Sequence, residues 1–246
     1  MPRDDLQARA DALNEAYKHH SAHAVLERAL KDPDVGQLAL VSSFGAESVA
    51  LLHLVAMVDR STPVLFIDTR LLFAETLAYQ QEVAERLRLS DVRVLRTDDA
   101  TMQARDPYGA LRFSDTDACC ALRKTLPLEQ ALDGFDGWIT GRKQYQGGKR
   151  AALPFFEADG THLKVNPLAH WDRSDVQDYM AENRLPRHPL VAQGYPSIGC
   201  APCTTRVAPG EDPRAGRWRN QEKTECGIHF VNGKMVRIPA PERQAG

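Results

Sequence analysis

The strongest constraint on this chain is an alternation of segment types. Short apolar runs at residues 38–41, 64–67 and 92–95 (the last alternating with arginines), and a further one at 138–140 before Gly141, are separated by stretches with helical apolar spacing at residues 48–58, 73–89 and 119–132. Runs of three or four β-formers read as strands, whereas apolar positions recurring every three or four residues read as helices. Such alternation predicts an α/β fold built on a mostly parallel twisted sheet with flanking helices. Ligands of such sheets bind beyond the carboxyl ends of the strands, so the motifs are expected to collect at that edge.

The flanks extend this plan. Residues 3–31 place Leu6, Ala10, Leu13, Tyr17, Val25, Leu26 and Ala29 at helical spacing, which predicts two leading amphipathic helices. A last helix is expected over residues 174–183, capped by Asp172 or Ser174 and ended by Pro186 and Pro189. Residues 194–216 are rich in Gly and Pro, and residues 206–225 are charged with few apolar positions, so this region reads as a mobile tail. The 246 residues, 43% of them hydrophobic, suffice for one domain. Its parts are N-terminal helices (1–35), a core (36–205) and the tail (206–246).

The formal net charge of -2 removes the global attraction that a dedicated nucleic-acid binder has for phosphate backbones, so no nucleic-acid partner is expected. The first twelve residues, MPRDDLQARADA, have no apolar export core, and no stretch is long and apolar enough to span a bilayer. The expected location is the cytoplasm, where clustered cysteines mean metal or catalysis more often than disulfides.

Ser42-Ser43-Phe44-Gly45-Ala46-Glu47-Ser48 lies between the first strand and the helix after it. A tight turn at Gly45 would let backbone N–H groups approach an anion, with serine hydroxyls and a helix N-terminus adding to the attraction. The loop has no lysine and no second glycine at Walker A spacing. An ordinary turn with Ser43 as helix cap fits these seven residues equally well. Asp68-Thr69-Arg70 and Gly141-Arg142-Lys143 follow two further strands at the same edge, and together the three segments favour a nucleotide pocket.

Cys119 and Cys120 are adjacent in a helical stretch, and Cys200 and Cys203 form a C-x-x-C in the Gly/Pro-rich segment. Four thiolates from two segments suit zinc or an iron-sulfur cluster. Adjacent cysteines strain a mononuclear site and fit separate irons more easily, so the spacing favours a 4Fe-4S cluster. Lys124, one helical turn beyond Cys120, is placed either to approach such a cluster and a bound anion or to face solvent. Cys226 is left over, in the polar run KTECGIH; Lys223 and His229 could favour its thiolate. On that local argument alone such a cysteine is more often incidental than catalytic.

Taken together, SSFGAES, CCALRK, YPSIGCAPCTTR and ECGIH resemble, in order and spacing, the assimilatory sulfonucleotide reductases, over roughly residues 38–229. The resemblance implies an adenine-nucleotide-hydrolase-like sheet, one 4Fe-4S cluster, and thioredoxin or glutaredoxin as electron donor. By position it makes Cys119, Cys120, Cys200 and Cys203 the cluster ligands and Cys226 the nucleophile. Lys124 matches a lysine between cluster and substrate. Arg214 and Arg217 match arginines that clamp a phosphosulfate, Ser42, Ser43 and Gly45 match the phosphate loop, and Arg142 matches a further anion contact. The chain departs from the commoner pattern at Asp68-Thr69-Arg70, where a glycine often precedes the arginine.

Cluster-bearing members of that family generally use adenosine 5'-phosphosulfate, in assimilatory sulfate reduction leading to cysteine. The resemblance therefore implies that nucleotide as substrate, its 3'-phosphorylated form being the alternative. More remote alternatives are a tRNA-thiolating enzyme on the same sheet, and a non-catalytic metal-binding redox sensor. The loop SSFGAES and the slightly negative charge speak against the first. The sequence leaves open whether the chain forms a homo-oligomer.

Overall fold

A computed structural model describes residues 3–33, 35–147, 150–219, 223, 230–231 and 234–235. Two helices lead, α1 (Arg3–Tyr17) and α2 (Ala22–Lys31), the second capped by the Ser21 hydroxyl, which accepts from Ala24 N at 3.2 Å. Then follow β1 (Leu38–Ser42), α3 (Ser48–Val58), β2 (Val64–Ile67), α4 (Ala74–Leu87), β3 (Val92–Leu95) and α5 (Asp99–Arg105). After α6 (Leu111–Ser114) and α7 (Thr116–Cys120), a π-turn over Ala121–Thr125 leads into α8 (Leu126–Leu132) and β4 (Gly137–Ile139). The chain continues with β5 (Phe156–Asp159), β6 (His162–Val165) and α9 (Arg173–Glu182), and two short strands, β7 (Phe230–Val231) and β8 (Lys234–Met235), pair antiparallel.

The sheet runs β3-β2-β1-β4-β6-β5, and every neighbouring pair is parallel except β5–β6. This is the expected α/β architecture. The antiparallel edge hairpin β5–β6 was not expected, because both of its strands carry charges: Glu157, Asp159 and Lys164. Helices α1 to α4 and α9 bury one face around Leu26, Leu52, Phe66 and Val165. The other face packs Ala39, Leu65 and Trp138 against Leu128 and Leu132 of α8. No helix among the described residues is long and apolar enough to cross a membrane.

Two expectations need correction. Residues 206–219, read from sequence as part of the tail, pack against the body. Thr205 N donates to Gly216 O at 2.8 Å, Trp218 N donates to Cys203 O at 3.1 Å, and the Trp218 side chain is buried. The last long helix begins at Arg173 instead of Ser174, with Asp172 as its cap, accepting from Asp175 N at 3.0 Å.

The segment leading to the C-x-x-C is held against α4 by buried polar contacts. Tyr79 OH donates to Pro186 O at 2.8 Å, and His188 Nδ1 accepts from Leu190 N at 3.2 Å. That acceptor role leaves the proton on Nε2, which faces Thr76 Oγ1 at 3.0 Å. Burial pushes the His188 pKa from its usual 6.5 down to about 4, against the opposing effect of Glu75. Between these values the unfolded chain binds the extra proton and the folded chain does not, so acid favours unfolding there. The urea midpoint should therefore fall as pH drops from 6.5 to 4, with a ceiling for this one group of about 3 kcal/mol. His188→Gln should flatten that slope; equal slopes in both proteins would contradict the assignment.

Candidate active site

A cleft of about 640 Å³ opens at the carboxyl edge of the sheet. Ser42, Ser43, Gly45, Lys124, Arg142, Arg214 and Arg217, the seven substrate contacts anticipated from sequence, all line it. They arrive from four places: the β1–α3 loop, the π-turn, the segment after β4, and residues 212–218.

The β1–α3 loop is organised by its own serines. Ser42 Oγ accepts from Phe44 N at 3.2 Å and Ser48 Oγ from Gly45 N at 2.9 Å, while Phe44 is buried edge-on to Phe66. Ser43 does not cap α3, which starts after Glu47 without a side-chain cap. Glu47 points into the cleft, where its carboxylate accepts from Lys143 Nζ at 3.0 Å and Tyr145 OH at 2.7 Å. Burial alone would raise the Glu47 pKa, but Lys143, the tyrosine hydroxyl and Arg173 outweigh it and hold the group ionised. Lys143 is pushed down by its own burial, with Arg150 and Arg214 adding to the effect and Glu47 opposing it.

In the sequence reading Gly141-Arg142-Lys143 is one edge of a nucleotide pocket, with Arg142 as an anion contact, and the structure adds carboxylate partners to both cations. Lys143 is committed to Glu47 and to Gly141 O, at 3.2 Å. Arg142 is ion-paired with Glu157 and donates to Asn166 Oδ1 at 3.0 Å. The next pair along the hairpin, Lys164–Asp159, also lines the cleft, with the ammonium 4.7 Å from the centre of the Trp138 ring. Sequence reasoning missed Glu47, Tyr145, Arg150, Glu157, Lys164 and Arg173 as lining residues. Arg150 lies beyond Gly141-Arg142-Lys143, the part of the run after β4 that sequence places at this edge.

Asp68-Thr69-Arg70 divides its work. Asp68 is buried, accepts from Arg70 N at 2.8 Å and pairs with Arg96 at 2.8 Å. Arg70 adopts φ +60, a left-handed conformation that favours glycine, and its side chain turns to Asp99 at 2.5 Å instead of lining the cleft. Thr69 does line the cleft, and it also lines a second, smaller cavity shared with Lys124 and Cys200.

That second cavity gathers Cys119, Cys120, Cys200 and Cys203. The Asp115 carboxylate starts α7 by accepting from Asp117 N and Ala118 N, which sets both tandem cysteines in the helix. Pro127, without an N–H, cannot complete the turn before it. The helix widens into the π-turn that carries Arg123 and Lys124, and Leu122 O is met instead by Thr97 Oγ1 at 2.5 Å. Opposite, Ala201 N donates to Leu71 O at 2.7 Å, tying the C-x-x-C to the β2–α4 loop. Thr69 Oγ1 accepts from Leu71 N at 3.2 Å and shares a hydrogen bond with Cys200 Sγ at 3.2 Å.

Burial pushes the Cys119 thiol pKa up, and Cys200, Cys203 and Asp106 add to the rise while Arg123 opposes it. The thiols therefore sense one another. Arg123 is buried, paired with Asp106 at 2.8 Å, and donates to Thr69 O at 3.2 Å; its Nε and the Trp218 Nε1 are buried donors without partners among the described residues. Four thiols on one cavity, with the buried Arg123 guanidinium beside them, are a donor set whose chemistry would fit an anionic iron-sulfur group. Among the described residues, no three His, Cys, Asp or Glu side chains form a ready site for a single metal ion. Cys226 lies outside the described residues.

A mostly parallel α/β sheet with a cysteine quartet at its carboxyl edge is thus the class of protein that fold and site define. The phosphoadenosine phosphosulfate reductase domain family matches residues 37–206, and the chain belongs to that family. It is 47% identical over 227 residues to an adenosine 5'-phosphosulfate reductase of Mesorhizobium japonicum, covering 92% of this chain and 89% of the relative. A protein of the same description from Bacillus pumilus is 41% identical, covering 78% and 84%. Among solved structures, a phosphoadenylyl-sulfate reductase from Candida auris in a phosphate complex aligns with a TM-score of 0.68 at 25% identity, covering 79% of this chain and 95% of that one. Candida glabrata FMN adenylyltransferase, at 16% identity and a TM-score of 0.56 over 92% and 88% of the two chains, shares the fold. The motif resemblance and the nucleotide fold expected from it are both borne out.

Proposed function

We propose that this chain reduces adenosine 5'-phosphosulfate to sulfite and AMP in the cytoplasm, within assimilatory sulfate reduction leading to cysteine. The observation that carries this reading is the junction of the two cavities. The nucleotide-sized cleft and the four-cysteine cavity share Thr69, Lys124 and Cys200, in a chain whose relatives bear the name of that reductase.

Cys119, Cys120, Cys200 and Cys203 would hold one 4Fe-4S cluster. When bound, it would supply a fixed negative charge beside the substrate and tie the two cysteine segments together. Lys124 borders both cavities and is suited to balance that charge against a phosphosulfate. Arg214 and Arg217 bind the anion from the other wall. Cys226, as thiolate, attacks the substrate sulfur; the S–O bond to the phosphate breaks, AMP leaves, and the cysteine retains the sulfonate as S-sulfocysteine. The cations stabilise the charge growing on the bridging oxygen.

A thioredoxin or glutaredoxin thiolate then attacks the Cys226 sulfur. Sulfite departs with the bonding pair, and the donor's second cysteine resolves the mixed disulfide, so two electrons pass from the dithiol to the substrate sulfur.

The 3'-phosphorylated nucleotide is a second reading, favoured by the name of the Candida auris neighbour. In direct competition, kcat/KM should be much larger for adenosine 5'-phosphosulfate. Equal values, or the reverse order, would assign the other nucleotide. Incubation with sulfur-labelled substrate and no reduced donor should leave label on a Cys226 peptide, and reduced thioredoxin should discharge it as sulfite. Cys226→Ser should never acquire label. Label on another cysteine, or normal turnover in the variant, would refute this mechanism.

A further inference from the structure

Arg217 reaches its place in the cleft wall by an unusual route. Its backbone is fixed by the Thr204–Arg217 bridge and by Arg217 N donating to Arg214 O at 2.8 Å. The side chain then crosses to the strand of backbone leading into the C-x-x-C, where Nη1 donates to Ile198 O at 3.2 Å. The guanidinium carbon stands 4.5 Å from the centre of the Trp218 ring. Gly199, which lines the cleft between Ile198 and Cys200, also lies against the guanidinium. A Cβ on Gly199 would stand 2.5 Å from Arg217 Cζ and 2.8 Å from Nη1, well inside van der Waals contact. The guanidinium thus touches both the Trp218 ring and the bare Gly199 backbone, with its Nε buried and without a partner among the described residues.

Gly199 is not in the left-handed region. Its backbone would accept alanine, so the obstacle to a side chain there is the guanidinium. The atoms a methyl group would meet are the far end of a flexible arginine, which can swing away at little cost to the fold. What such a change removes is the position of the cation.

We infer that Gly199 is a positioning residue for substrate binding: its missing side chain admits the Arg217 guanidinium against the peptide plane, which aims that cation into the cleft next to Cys200. The inference rests on the reading of Arg217 as an anion contact given above. It gives the glycine a role separate from forming the turn into the C-x-x-C.

The test is a double-mutant cycle on the anaerobically purified, cluster-loaded protein, reading kcat/KM for adenosine 5'-phosphosulfate together with cluster absorbance and melting temperature. Gly199→Ala should keep the absorbance and lose tenfold or more in kcat/KM, approaching the loss in Arg217→Ala. In the Arg217→Ala background, Gly199→Ala should cost less than a further twofold. Should the methyl group also lower the melting temperature, the double variant should restore it, because the clashing group is gone. A Gly199→Ala enzyme with wild-type kcat/KM, or one whose full loss adds to that of Arg217→Ala, would overturn the role of Gly199 while leaving the reading of Arg217 intact. An Arg217→Ala enzyme with unchanged kcat/KM would overturn both.

Discussion

The attachment of the C-x-x-C segment to the β2–α4 loop holds the rest of the active edge in place. Leu71 O takes the Ala201 N–H, Leu72 bridges to Cys200, and the Thr69 hydroxyl hydrogen-bonds with the Cys200 sulfur. Asp68 holds the left-handed turn at Arg70 that makes these contacts simultaneous. Residues far apart in sequence thereby meet at one place: Arg123 of the π-turn on Thr69 O, Trp218 on Cys203 O, and Arg217 on Ile198 O. Each is a single hydrogen bond of modest net worth, yet a donor or acceptor left buried without its partner would cost more than the bond contributes. The junction is consequently all or nothing, a suitable property where four sulfurs must face one cavity.

Charge pairing sets the character of the cleft. Lys143–Glu47, Arg142–Glu157 and Lys164–Asp159 neutralise three of its cations within its walls, and Arg123–Asp106 does the same beside the cysteines. Burying such pairs contributes little net stability, and removing one partner strands a charge. Their effect is to fix orientation. The β1–α3 loop in particular is not a nest of open backbone donors: Phe44 N and Gly45 N are taken by Ser42 and Ser48, and an ionised Glu47 stands beside them. A loop so arranged accepts hydrogen bonds from a ligand's hydroxyls as readily as it donates to an anion.

Much of this was legible in the chain. Four of the five parallel strands were readable, buried ones such as Val64–Ile67 because they are uninterrupted apolar runs, and α3 because Ser48–Val58 is apolar but for Ser48 and His53. The hairpin β5–β6 was not, because Glu157 and Lys164 serve the cleft in place of a core and interrupt any apolar pattern. Residues 206–219 looked like a tail because their attachment depends on Gly216, Arg217 and Trp218 meeting distant backbone, which composition does not reveal. The cysteine quartet was visible from type and spacing. The commitment of Arg142 and Lys143 to carboxylates was hidden, since Glu157 and Glu47 become their neighbours only in the folded chain.

The central claim is that the four cysteines hold an iron-sulfur group against the nucleotide cleft. Iron, sulfide and zinc analysis of natively expressed protein, purified without oxygen, tests it most directly. The account predicts about four irons and four sulfides per chain, lost together on Cys203→Ser. Stoichiometric zinc without iron, or a Cys203→Ser protein that keeps its full iron content, would contradict it.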